Sequence, residues 1–224
     1  LYWHELFSRL STVTERLTSK TRSDMLHKLD SRLSVDFTEN NIYAVICWAL
    51  KNANSYFDSQ LVDVYREITS KENAFKYKSN IHMTDDSWRY CRGYGEGTLK
   101  PHHYGLEYRI VLHVYEAIKT DIWGKPHHDM GLSDNAETYM QDIFTVANNL
   151  GFMVKEGLNS CRWEYGKTQT FYLNESDDEG NPEIFCEIKM FKNGNIHVKF
   201  NQNFMKAFNI EASRLLGWIK SPKE

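Results

Sequence analysis

The stretch Glu187–Phe200, Glu-Ile-Lys-Met-Phe-Lys-Asn-Gly-Asn-Ile-His-Val-Lys-Phe, constrains the fold more than any other. Asn193-Gly194 stands between two runs rich in β-branched and aromatic residues. Asn-Gly tolerates positive φ at both central positions of a type I′ turn, so the stretch predicts a hairpin with that turn at its tip. Side chains alternate between the faces of a strand. Ile188 and Met190, with Lys192 continuing the alternation, then share one face with Ile196, Val198 and Phe200. Glu187, Lys189, His197 and Lys199 share the other, with Phe191 among them. The first face needs a hydrophobic core, and the second, cationic with one imidazole, needs a polar partner.

A core of sufficient size is available. The chain has 224 residues, 41% hydrophobic and 14% aromatic, enough for one large domain or two small ones. No stretch reads as a linker, so the expectation is one domain over 1–224, helical in 1–70 and mixed in 71–224. The net charge of −3 argues against a protein coated in basic charge for nonspecific duplex binding. A local basic face is still compatible with it. Cys47, Cys91, Cys161 and Cys186 form no Cys-x-x-Cys pair. Their scatter fits neither a disulfide framework nor a zinc ribbon, and points to a reducing, cytoplasmic setting. No apolar run approaches a membrane span, so no membrane partner is expected.

Helical spacing recurs through the first 70 residues, in Trp3, Leu6, Phe7 and Leu10, and again in Ile42, Val45, Ile46 and Ala49. Ser23 and Thr38 are the expected N-caps there. Leu106–Ile118 fits a strand or a helix by periodicity, and its β-branched content favours the strand. Ser133 or Asp134 opens a helix that Gly151 stops. Arg162–Tyr165 and Thr168–Leu173 bracket Gly166-Lys167 as a second hairpin, and Asn174–Pro182 reads as an acidic exposed loop. A short terminal helical region, in pieces at Asn203–Phe208 and Glu211–Trp218, must bury Phe204, Met205 and Phe208. The expected fold class is α+β: a helical N-terminal half packed on a mainly antiparallel C-terminal sheet with β-hairpins.

Phe191–Phe200, followed by Phe204-Met-Lys-Ala-Phe-Asn and Arg214-Leu-Leu-Gly-Trp-Ile, resembles an uncharacterised bacterial and phage family, domain of unknown function 4942. Asp36-Phe-Thr, Tyr115-Glu-Ala-Ile and Asp142-Ile-Phe-Thr-Val-Ala-Asn-Asn-Leu-Gly-Phe look similar too. The resemblance implies a setting in phages, prophages and mobile elements, sometimes beside adenine-specific DNA methyltransferase segments. It brings no catalytic residues. The chain itself has no Asn/Asp-Pro-Pro-Tyr/Phe motif and no glycine-rich cofactor loop, so methyl transfer is not expected of it. No cofactor is implied.

Three sets of residues are candidates for chemistry. His197 titrates near neutrality, and Lys199 or Arg162 can stabilise developing negative charge; together they suit a metal-independent ribonuclease or toxin-like effector. The plainer reading gives His197 only a hydrogen bond to a neighbouring strand. Lys100-Pro-His-His and Lys125-Pro-His-His-Asp echo each other, so His102, His103, His127, His128 and Asp129 are weak metal candidates. Adjacent histidines point apart, which favours exposed loops instead. Arg89, Arg92, Arg162, Lys189, Lys192 and Lys199 lie among aromatics that include Trp163, a pattern that grips phosphates and stacks bases. The leading expectation is a nucleic-acid-binding accessory module, for DNA or RNA, associated with DNA modification or defence. The alternatives are the ribonuclease and an adaptor or inhibitor that meets a protein partner.

Overall fold

The computed structural model describes residues 2–9, 15–32, 36–51, 53–69, 74–75, 109–114, 117–119, 123, 131–158, 163, 166–176, 180–191 and 193–218. Among them six helices and five strands run in the order α1 (Tyr2–Arg9), α2 (Ser19–Arg32), α3 (Glu39–Lys51), α4 (Ala53–Thr69), β1 (Ala74–Phe75), β2 (Arg109–His113), α5 (Asp134–Asn149), β3 (Thr168–Ser176), β4 (Pro182–Met190), β5 (Asn195–Phe200) and α6 (Gln202–Leu215). The helices are mostly N-terminal and the sheet is mostly C-terminal, an α+β fold.

Local chemistry sets the helix ends. The Ser133 hydroxyl accepts from the Ala136 N–H at the start of α5, and Asp134 and Glu137 suit the positive end of its dipole. Gly151, at φ 94°, ends that helix: its N–H donates to the Asn148 carbonyl and the Phe152 N–H to that of Ala147. Thr38 accepts from the Asn41 N–H, as its position before α3 predicts. Ser23 is not a cap, because α2 begins at Ser19 and the Thr18 carbonyl takes the Arg22 N–H. The terminal helix is one piece, capped by the Asn201 side chain on the Asn203 and Phe204 N–H groups.

The sheet is antiparallel throughout, in the order β1-β2-β5-β4-β3. The Leu106–Ile118 ambiguity falls to strand, as β2. Thr168–Leu173 pairs forward with β4. The other arm of the expected second hairpin, Arg162–Tyr165, lies outside the described residues apart from Trp163. The Gly166 N–H donates to the Met190 carbonyl, next to the start of β3. Strand pairing also continues to Ser176 opposite Pro182, which leaves a shorter loop than Asn174–Pro182. Pro182 is tolerated because it is the first residue of its strand.

The central hairpin forms with a different turn. The Phe191 N–H donates to the Asn195 carbonyl, and the Gly194 N–H donates back to the Phe191 carbonyl. Three residues therefore separate the paired positions, and Gly194, at φ 82°, carries the left-handed conformation. The Asn193 Oδ1 accepts the Asn195 N–H at 3.1 Å, a side-chain turn that Asn makes readily.

The predicted apolar face is buried in full: Ile188, Ile196 and Val198 are 0% exposed. It packs under α4, α5 and α6. Phe185 meets Phe144 at 5.2 Å and Phe204 at 5.2 Å, and Phe204 stacks on Phe208 at 5.6 Å. Tyr65 of α4 joins the same core edge-on to Phe208. A smaller cluster, Leu17 and Met25 with Leu26, Val45, Tyr56 and Phe57, holds α2 and α3 to the start of α4. Helix α4 thus belongs to both clusters. Among the described residues, no helix is long and apolar enough to cross a membrane.

Candidate functional site

The sheet face turned away from that core is set by register. Across one row, Arg109 of β2 stands opposite Lys199 of β5, which stands opposite Glu187 of β4, which stands opposite Thr170 of β3. The next row runs Val111, His197, Lys189, Thr168. The third places His113 opposite Asn195. Three side-chain cations and one carboxylate therefore share a face with two imidazoles.

The contacts within this face are specific. The Lys199 ammonium lies 2.7 Å from the Glu187 carboxylate, so one cation is partly compensated. Both groups are solvated, and the pair contributes little to stability. The Lys189 ammonium sits 5.6 Å from the centre of the Phe191 ring. Phe191 in turn packs against His197, with ring centroids 4.6 Å apart. Burial first, and then the positive charge of Lys189, hold His197 below the usual imidazole range. Both effects favour the neutral imidazole. Val111, beside His197, is 4% exposed and outside the helix-side cluster. His113 Nδ1 lies 3.1 Å from the Asn195 Oδ1. A carbonyl oxygen only accepts, so that contact puts the ring proton on Nδ1.

Of the residues singled out in the sequence, Lys189, Lys199 and His197 come together here. Trp163 does not. It is 6% exposed and its ring packs 5.9 Å from Phe171, so its faces are spent on the core and are not open to a base. Arg89, Arg92, Arg162 and Lys192 lie outside the described residues, as do His102, His103, His127, His128 and Asp129. Among the described residues, no group of three metal-ligating side chains converges. Sequence reasoning missed Arg109 and His113. The signal was the alternation Arg109, Val111, His113 within a segment that read equally as helix.

The helical side holds a pocket of about 200 Å³ between α4, α5 and α6, lined by Phe57, Leu61, Val146 and Leu150 among others. It is remote in character from the basic face, and none of the predicted site residues lines it.

A family model described as a domain of unknown function, DUF4942, matches residues 1–218. The chain belongs to that family. The match spans helices and sheet alike, so the basic face is part of the DUF4942 unit and not an addition to it. Neither a curated protein nor a solved structure matches the chain.

Proposed function

We propose that this DUF4942 chain binds nucleic acid through the outward face of its sheet, as an accessory module of a phage, mobile-element or defence system associated with DNA modification. The observation that carries the reading is the register: it aligns Arg109, Lys199 and Lys189 on one face whose reverse is the hydrophobic core. Cations spaced along neighbouring strands match the repeated charge of a phosphate backbone. Phe191, flanked by Lys189 and His197, offers a ring for stacking. The overall charge of −3 keeps attraction local to this face. The cytoplasm, where such polymers and free thiols such as Cys47 and Cys186 coexist, is the compartment this reading requires.

The test is fluorescence anisotropy with labelled single-stranded RNA and DNA at low salt. Binding should weaken as salt rises, with a log–log slope of about −2 for three phosphate contacts on a single strand. Absence of binding to either polymer at low salt refutes the proposal. A protein partner is a second reading, favoured by exposed aromatics on the N-terminal helices: Tyr2 is 67% exposed and Tyr43 71%.

A further inference from the structure

We infer that His113 and His197 form an acid–base pair that cleaves RNA without a metal, with the 2′-hydroxyl as nucleophile. The inference rests on the face binding nucleic acid, and goes beyond it by adding a second imidazole from a different strand. Val111 stands directly opposite His197, and His113 lies two residues further along the same strand on the same face. The two histidines are thus diagonal neighbours across an antiparallel pair, on the order of 7 Å apart at the backbone. That separation lets two imidazoles flank one phosphodiester, one at the attacking oxygen and one at the leaving oxygen.

The remaining groups fit that role. His197, whose neutral form burial and Lys189 favour, takes the 2′-hydroxyl proton as general base. The 2′ oxygen attacks the adjacent phosphorus, and the bond from phosphorus to the 5′ oxygen breaks. His113, as the general acid, gives a proton to that departing oxygen. The products are a 2′,3′-cyclic phosphate and a 5′-hydroxyl, and each proton is accounted for. The contact to Asn195 fixes the His113 ring so that Nε2 is the nitrogen turned to reaction. Arg109, Lys199 and Lys189 supply positive charge for the phosphorane, while Glu187 restrains Lys199. Val111, 4% exposed and opposite His197 in the register, gives the pair an apolar flank. Gly194 holds the second strand against the first, with the Val114 N–H donating to its carbonyl at 3.0 Å.

The experiment incubates the purified chain with a labelled single-stranded RNA, with and without EDTA, and with the 2′-deoxy strand of the same sequence. The expected result is cleavage of RNA alone, unaffected by EDTA, leaving a terminal cyclic phosphate detected by mass. His113→Gln and His197→Gln should each slow cleavage by about 100-fold or more, while anisotropy shows binding retained within a few-fold. The wild-type rate against pH should be bell-shaped, which tests the pair without relying on any variant folding. RNA that is bound but left intact overturns this inference and leaves the binding proposal standing. A rate that falls on neither side of its optimum overturns it too. No binding at all removes both.

Discussion

Gly194 is the residue on which the basic face depends most. At φ 82° it adopts a conformation that costs an L-residue about 1–2 kcal/mol. A Cβ there would also lie 2.7 Å from the Val114 carbonyl oxygen and 3.1 Å from the His113 ring. Gly194→Ala should therefore destabilise the protein by about 3 kcal/mol in urea unfolding, strain and steric displacement together. A loss under about 1 kcal/mol would contradict the described turn. The need for glycine was legible from Asn-Gly alone, but the close approach of β2 was not, since His113 and Asn195 are 82 residues apart. His197 makes a second prediction. Its folded pKa lies below the unfolded value, so as pH falls the unfolded chain takes up the proton first. Its contribution to stability is whole above about pH 6.5 and is lost below it. Between pH 7.5 and 5.5, wild type should lose more unfolding free energy than His197→Gln. An equal loss would place the ring in a solvated setting instead.

Elements meet through both oil and polar contacts, and the polar ones are the more local. The segment before α2 is tied to α4 and α5 by a line of hydrogen bonds. The Ser19 N–H and hydroxyl both donate to the Asp142 carboxylate, at 2.8 and 2.6 Å. The Thr18 N–H donates to the Gln60 side chain, whose amide donates in turn to the Arg16 carbonyl. Asn149 donates to that same carbonyl. Burial raises the Asp142 pKa even against the two Ser19 bonds that lower it, so the carboxylate is held at some cost. Asp142→Ala should cost about 2 kcal/mol, the net of two lost charge-assisted bonds and a relieved buried charge. Hydrogen exchange should show the loss concentrated in the amides of α2. Helices of this kind were legible because periodicity and caps are local signals: Ser133, Gly151 and Thr38 act where their sequence positions predict. The partner of β3 was not. The bulge that leaves Phe185 unpaired between Cys186 and Ile184 puts two consecutive residues at 0% exposure, which breaks the alternation of a regular strand.

At the scale of the molecule, one sheet divides an aromatic core from a polar face, and the division was readable from Glu187–Phe200 because both strands of the hairpin lie close in sequence. The pairing of β2 with β5 was not readable, because it joins distant segments that no local motif encodes. Consequently the hairpin pattern alone groups Lys189, Lys199 and His197, while Arg109 and His113 join them only through the β2–β5 pairing, and Trp163, expected on a binding surface, belongs to the core. The face should act as a unit in binding. Lys189→Ala should weaken affinity for a single strand and reduce the salt slope by about 0.7, the share of one phosphate contact. Glu187→Gln should do the reverse by releasing Lys199 from its 2.7 Å ion pair. The most direct measurement is an amide chemical-shift map of the ¹⁵N-labelled protein titrated with a short single-stranded RNA at low salt. The predicted result is a contiguous set of shifts over Arg109–His113, Glu187–Phe191 and Asn195–Lys199. Shifts confined to the N-terminal helices, or none anywhere, would contradict the account.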